Sequence, residues 1–231
     1  MTQAKLDMVK QTTNTVKQLE FELDDEEWEF IPGQHTVLHL DVDGEDVARP
    51  YTMITRDGTD RFCLAIKEYP DGELTPHIHE MEEGDTAEFD EPSGSLHIKG
   101  YEDDAVFIST GTGATPMYVM LRDYLQNGEG DAYYFHGEKT ADDLMFRQEL
   151  AQLEAEHDDL TVVHSLTDES WHGKEGYIQE HVPDVLDSLE DKTFYICGVP
   201  AAVVQTQELL EEHGVGEEEI VTEGWESDAV S

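Results

Sequence analysis

The stretch VFISTGTGATPM (106–117) decides how the chain is read. With Ala105 before it, AVFIS (105–109) reads as a buried strand, apolar as far as Ile108. Thr110-Gly111-Thr112-Gly113-Ala114-Thr115-Pro116-Met117 then supplies small residues, which let a backbone turn sharply and approach a ligand closely. Pro116 suits a first helical turn, where an amide hydrogen would have no partner in the helix. Free amides and the positive dipole end at such a helix start favour a pyrophosphate. The run is not a Walker phosphate loop, since no Gly-Lys-Ser/Thr follows. A plain strand–helix turn would use two glycines as well, so the neighbouring segments carry the distinction.

Downstream, strand and helix keep alternating. AYYFH (132–136), LTVVHS (160–165) and TFYIC (193–197) read as further buried strands. Helices are expected from about Pro116 to Gln126, Asp142 to Glu156, Ile178 to Leu189 and Pro200 to His213. That order predicts a parallel sheet covered on both faces. Ligands of such sheets bind beyond the carboxyl ends of the strands. The last of these strands enters a second turn of the same kind, Tyr195-Ile196-Cys197-Gly198-Val199-Pro200. Cys197 is thereby expected at the carboxyl end of the sheet, near where the first loop points; an isolated cysteine would otherwise read as a small buried hydrophobe.

Upstream of Gly100 the period is two. VLHLDV (37–42), PYTMIT (50–55) and RFCLAIK (61–67) read as strands. Breakers separate them at Pro32-Gly33, Asp43-Gly44, Asp57-Gly58, Asp71-Gly72 and Gly84-Asp85. Short strands at this spacing predict a small antiparallel β-barrel. The expected organisation is thus two domains, a barrel over residues 1–100 and an α/β parallel-sheet domain over 101–231. Arg49-Pro50-Tyr51-Thr52 opens one barrel strand, and alternation places Arg49 and Tyr51 on one face with Thr52 on the other. Arginine can neutralise a phosphate, tyrosine can stack on a planar ring, and threonine can hydrogen-bond a ring nitrogen.

Composition sets the outer limits. Of 231 residues, 13 are Lys or Arg and 55 are Asp or Glu, a formal net charge of −42. Low hydrophobicity with high charge marks disorder, but here the acids are dispersed between patterned apolar positions. A folded protein adapted to a very salty cytoplasm is the better reading, since near 1 M salt the Debye length falls to about 3 Å and self-repulsion fades. A halophilic source and a cytoplasmic location are expected. With no basic patch to release counterions, nucleic acid is not expected as a partner. Cys63 and Cys197 are too few for a disulfide framework or a four-cysteine cluster, so no metal site is read. MTQAKLDMVKQTT at the start has no apolar run for a signal peptide, and no segment approaches the roughly 20 apolar residues of a membrane span.

Taken in order, these segments resemble the ferredoxin–NADP reductase superfamily over nearly the whole chain. Phe30-Ile31-Pro32-Gly33-Gln34 resembles the entry to that family's flavin barrel, and Arg49-Pro50-Tyr51-Thr52 its Arg-x-Tyr-Ser/Thr motif. Asp71-Gly72-Glu73-Leu74-Thr75 with Glu83-Gly84-Asp85 is similar to its Gly-x-x-Ser/Thr and Gly-Asp segments. Glu91-Pro92-Ser93-Gly94-Ser95-Leu96 resembles the stretch closing the barrel, with Glu91 where a glycine is usual. Gly111 to Met117 resembles the nicotinamide loop, with Thr115 where alanine is common. His136-Gly137-Glu138-Lys139-Thr140, Asp143-Leu144-Met145-Phe146 and Cys197-Gly198-Val199-Pro200 resemble the remaining motifs.

The resemblance implies FAD and NAD(H) or NADP(H) as cofactors, and a role for each matching residue. Arg49 would contact the flavin pyrophosphate, Tyr51 would pack on the isoalloxazine and Thr52 would hydrogen-bond N5. Pro50, Ile66, Gly72, Leu74 and Thr75 would complete the FAD site, the last three mainly through backbone groups at the phosphates. Thr112 and Gly113, with Gly111, Ala114 and Pro116, would hold the dinucleotide phosphates. Cys197 and Gly198, followed by Pro200, would position the nicotinamide. Near the C-terminus Glu223 would shape the hydride site and Trp225 would stack on the flavin. Thr52, Cys197 and Glu223 are the implied catalytic residues.

The implied activity is hydride exchange between NAD(P)H and flavin, with electrons passing to a separate protein, a ferredoxin or an oxygenase component. A free-flavin or ferric reductase is the second reading, and a flavin-barrel regulatory or binding subunit without redox activity the third. Ser165-Leu166 stands where many NADP-specific relatives have Ser-Arg, which points towards NADH, while Lys139 and Lys174 keep NADPH open.

Overall fold

The computed structural model describes residues 1–24, 27–55 and 58–222, and the chain divides into two compact units between His97 and Ile98. In the first, β1 (Thr2–Gln11), β2 (Val16–Leu23), β3 (His35–Val42), β4 (Glu45–Thr52), β5 (Arg61–Lys67) and β6 (Thr86–Phe89) form one antiparallel sheet in the order β4-β3-β6-β1-β2-β5. Just past β4, Met53 bridges Leu64 of β5, and the Ile54 N–H donates to Cys63 O at 2.8 Å. The two edge strands therefore meet, and the curled sheet closes towards a barrel. Alternation drives the inward face: Leu19, Phe21 and Leu23 of β2 are buried while Glu20 and Glu22 between them are not. Phe21, Trp28, Phe62 and Phe89 stack and meet edge-on at 4.8 to 6.5 Å in the barrel core. Each such buried side chain contributes about 1.5–3 kcal/mol. The short helix α1 (Thr75–Glu80) closes one part of this core with Ile78.

β1 and β2 are strands the sequence reading leaves unassigned. In β1 the register with β2 shifts between Leu6 and Met8, a bulge that breaks the period of two. The strand expected at 50–55 begins earlier, at Glu45, and ends at Thr52.

The second unit is a parallel sheet, β10-β9-β8-β7-β11-β12. Its elements run β7 (Asp104–Thr110), α2 (Ala114–Asn127), β8 (Ala132–Glu138), α3 (Arg147–Glu156), β9 (Leu160–Leu166), β10 (Lys174–Glu175), α4 (Val182–Val185), β11 (Lys192–Cys197), α5 (Pro200–Glu212) and β12 (Ile220–Thr222). Val106, Ile108, Phe194 and Ile196 pack on one face against Val182, Leu186 and Leu210. Phe107 on the other face stacks 5.2 Å from Tyr195 and meets Tyr124 of α2. After β7 the chain adds β8, β9 and β10 on one side, then returns to lay β11 and β12 on the other. The order reverses between β7 and β11, the switch point at which open α/β sheets bind ligands.

Two expected helices are interrupted. Between 142 and 156 the chain makes a 3-10 turn, Ala141–Asp143, and then reverses at Phe146, whose φ is +56°. Leu144, Met145 and Phe146 are all buried, and three successive residues cannot share one helical face. Between 178 and 189 only a 3-10 turn, Ile178–His181, and the single turn α4 form, although Ile178, Val182 and Leu186 make the core stripe that their spacing of four suggests. Among the described residues no helix is long and apolar enough to cross a membrane.

Candidate functional site

The sequence motifs fall on the two units separately. In the barrel unit, Arg49 and Tyr51 stand opposite Leu38 and Thr36 of β3, and Thr52 opposite His35, so the first two share a face of β4. Arg49 donates from Nη1 to Ala48 O at 2.8 Å and from Nη2 to a Glu73 carboxylate oxygen at 2.7 Å; both side chains are about half exposed. Tyr51 packs partly against the barrel core, and burial pushes its phenol up to about 12 against the opposing pull of the Arg49 charge. The hydroxyl therefore stays protonated at ordinary pH and can donate.

The turn at 69–75 brings a second segment to Arg49. The Gly72 N–H donates to Tyr69 O at 2.8 Å, and Thr75 Oγ1 both accepts from the Tyr69 N–H and donates to Tyr69 O. Thr75 thus spends its hydroxyl on the turn. Gly72 is required there, because a Cβ would lie 2.8 Å from Thr75 Oγ1 and 2.9 Å from Tyr69 O. Leu74 is buried at the start of α1. Ile66 is 1% exposed in the barrel core, and its carbonyl lies 2.9 Å from His79 Nε2, so it presents no side chain to a ligand. Pro50 is half-buried. The arrangement fits an anion at Arg49 next to a planar ring at Tyr51, flanked by the tightly packed turn at 69–75. Sequence reasoning passes over Tyr69, a 48% exposed aromatic whose backbone closes the turn on Gly72 and Thr75, and over Glu73, the partner of Arg49. An exposed tyrosine beside the Asp71-Gly72 turn is the one signal for the former.

In the α/β unit, β7 passes through a 3-10 turn, Gly111–Gly113, directly into α2. The two glycines do different work. Gly111 has φ +57° and open space where a Cβ would sit, the condition for a phosphate to approach the backbone at a helix start. At Gly113 a Cβ would lie 2.2 Å from Cys197 O and 2.4 Å from Cys197 C, so this glycine lets the β11 turn pack against the loop. Thr112 is half-buried; Ala114 and Pro116 are buried in the first turn of α2 and can offer a ligand only backbone. Cys197 ends β11 in register with Ser109, its thiol free of any disulfide and buried. Gly198 follows with φ +151°, and Val199 and Pro200 open α5 at the surface. The structure therefore gathers Gly111, Thr112, Gly113, Cys197 and Gly198 at the switch point.

Further along the carboxyl edge, at β8 and β9, lies a cluster that sequence reasoning misses. The Arg147 guanidinium sits 5.4 Å from the Trp171 ring centroid, and His164 and His172 rings lie 6.4 and 5.0 Å from the same ring. Burial, with the Arg147 charge, lowers His164 to about 4, leaving a neutral ring. Ser165 donates its hydroxyl to Gly176 O at 2.7 Å, and Leu166 is buried; Lys139 and Lys174 are exposed. Among the described residues no group of three or more His, Cys, Asp or Glu could hold a metal. Glu223 and Trp225 lie outside the described residues.

Against known proteins, residues 3–98 match a family model described as an oxidoreductase FAD-binding domain, and residues 107–208 one described as an oxidoreductase NAD-binding domain. Ferredoxin–NADP reductase B of Sorangium cellulosum is 31% identical over 219 residues, 90% of this chain and 90% of that one. The glycine betaine monooxygenase reductase subunit of Chromohalobacter salexigens is 30% identical over 80% of this chain, which spans 53% of that relative's length. In fold, a ferredoxin NADP+ reductase from Neisseria gonorrhoeae with bound FAD and NADP superposes with a TM-score of 0.85, covering 96% of this chain and 97% of that one at 22% identity.

Proposed function

We propose, from the premise that this chain belongs to the ferredoxin–NADP reductase family of FAD- and NAD-binding oxidoreductases, that it moves electrons between a nicotinamide dinucleotide and a separate ferredoxin or oxygenase component. The observation that carries the reading is that one unit holds the Arg49–Tyr51 strand face and the other holds the interlocked Gly111–Gly113 and Cys197–Gly198 loops. Each is a fit for one of the two cofactors that the family's domains bind.

The roles of the chain's own residues follow from their chemistry. Arg49 holds the flavin pyrophosphate by charge-assisted hydrogen bonds, Tyr51 presents its ring to the isoalloxazine, and Thr52 offers a hydroxyl to N5. Backbone at Gly72, Leu74 and Thr75 lines the remaining FAD phosphates. Gly111 and Thr112 bring amides to the dinucleotide phosphates at the α2 dipole, and the Cys197-Gly198 turn sets the position of the nicotinamide. Glu223 and Trp225 remain the candidates for the hydride site and for stacking on the flavin. Bound flavin supplies two-electron exchange with nicotinamide and one-electron release to an acceptor, while the protein orients the rings and excludes water. The two cysteines of these 231 residues cannot themselves hold a four-cysteine cluster, and the resemblance points to a ferredoxin or oxygenase component as the acceptor. NADH is the preferred dinucleotide on this reading, because the Ser165 hydroxyl is spent on Gly176 and no arginine follows it.

Purification in high salt tests it. The expected product is yellow, and its flavin band bleaches anaerobically on adding NADH, more efficiently than with NADPH. A colourless protein that reduces added flavin would replace this reading with a free-flavin reductase. A protein that binds neither cofactor would end it.

A further inference from the structure

Thr110, the last residue of β7, lies where three strand ends meet. It pairs in register with Gly137 of β8, and its methyl stands 3.6 Å from where a Gly137 Cβ would be. Its hydroxyl points the other way, and Oγ1 accepts the Val199 N–H at 3.0 Å. Gly198 is pressed onto the same residue: a Cβ there would lie 2.2 Å from Thr110 Oγ1, 2.6 Å from its carbonyl oxygen and 2.8 Å from its nitrogen. With Gly113 packed on Cys197 O, the two loops at the switch point interlock from both directions.

We propose that Thr110 is a positioning residue, whose hydroxyl latches the Cys197–Val199 turn to the Gly111–Gly113 loop so that both meet the nicotinamide dinucleotide as one unit. The inference rests on the reading of those loops as the dinucleotide site.

The start of α5 supports it. The Val199 amide is spent on Thr110, Pro200 has no amide hydrogen, and the Ala202 and Val203 amides donate to Val199 O. This helix start has few donors left for an anion, whereas Gly111 at the start of α2 lies open. The β11 turn therefore acts through placement, and Thr110 fixes that placement.

The test uses the FAD-loaded full chain in high salt. Thr110→Val puts carbon where the Val199 amide needs an acceptor, Thr110→Ala removes the hydroxyl without adding bulk, and Thr110→Ser keeps it. Amide hydrogen exchange over the peptide containing Val199 reads the latch, anaerobic stopped-flow reduction by NADH reads the chemistry, and equilibrium titration with NAD+ reads binding. In Thr110→Val and Thr110→Ala, exchange at Val199 should accelerate. The saturating reduction rate should fall by about 10- to 100-fold, the scale of a displacement near 1 Å. The Kd for NAD+ and the FAD content should stay close to wild type. Thr110→Ser should restore both exchange and rate. If Thr110→Val does not fold, Thr110→Ala carries the comparison. A wild-type rate in Thr110→Ala, or an equal loss in Thr110→Ser, overturns the proposal. Failure of the wild-type protein to be reduced by either nucleotide overturns the functional reading instead, and the exchange measurement still reports on the latch alone.

Discussion

Replacing Gly113 by alanine should damage stability and turnover together, while the same change at Gly111 should damage nucleotide binding. At Gly113 the new Cβ meets backbone on three atoms, Cys197 O at 2.2 Å, Cys197 C at 2.4 Å and Gly198 N at 2.6 Å. Relief needs the β11 turn to retreat by about 1 Å, and overpacking of this kind costs about 1–3 kcal/mol. For a chain of this size 1 kcal/mol is worth about 2–4 °C, so a 2 kcal/mol cost lowers the melting temperature by roughly 4–8 °C. The retreat also moves Cys197, and a displacement near 1 Å costs about 100-fold in rate. At Gly111 nothing lies within 4 Å of the new Cβ, and the penalty is the left-handed φ of +57°, about 1–2 kcal/mol. That methyl fills the open space beside the loop. Half-saturation for NADH should rise while the saturating rate is largely kept. Both variants should melt below wild type, and anaerobic stopped-flow on the FAD-loaded proteins, which reads the saturating rate against the half-saturating NADH concentration, separates them. A Gly113→Ala protein that melts and turns over like wild type would refute the interlocked-loop geometry. So would a Gly111→Ala protein whose saturating rate falls further than that of Gly113→Ala.

Arg49→Ala should lose FAD on gel filtration while NAD+ still binds, and Glu73→Gln should tighten FAD by a few-fold in a fluorescence titration, because the carboxylate held at 2.7 Å competes with phosphate for the same guanidinium. Weaker FAD in Glu73→Gln would make Glu73 a support for Arg49 instead. His39 lies with its Nδ1 and Nε2 each 3.3 Å from a carboxylate oxygen, of Asp46 and Asp90. Burial alone would lower its pKa, but hydrogen bonding and charge from the two aspartates outweigh this and raise it above 6.5. The stabilisation is therefore complete below pH 6.5 and lost as pH climbs through the raised value, and melts of wild type against His39→Gln over pH 5 to 9 should converge at the alkaline end. With a net charge of −42 the melting temperature should rise between 0.1 and 1 M salt as the Debye length shrinks from about 10 to 3 Å; an unchanged melt would show that self-repulsion is not limiting.

How much of this is legible in the sequence depends on whether a feature is local. The change of period near Gly100 is local, and both the curled antiparallel sheet and the parallel sheet follow from it. What escapes involves interruptions of a period or partners far apart in the chain. The bulge between Leu6 and Met8 throws β1 out of phase. The buried run Leu144-Met145-Phe146 reads as helix because apolar content is high, yet only a reversal at Phe146 buries all three. The site divides the same way. Thr110-Gly111-Thr112-Gly113 is visible as a small-residue loop, but the letters give Gly111 and Gly113 equal standing. Only the approach of Cys197, 84 residues further on, makes one of them a packing glycine and leaves the other open. Glu73 is invisible as the partner of Arg49 for the same reason. A motif therefore locates a loop, while the strand that crosses the switch point decides which of its residues a ligand can reach. In this chain that strand is β11, so substitutions in the 197–199 turn should alter the dinucleotide loop as strongly as substitutions within the loop itself.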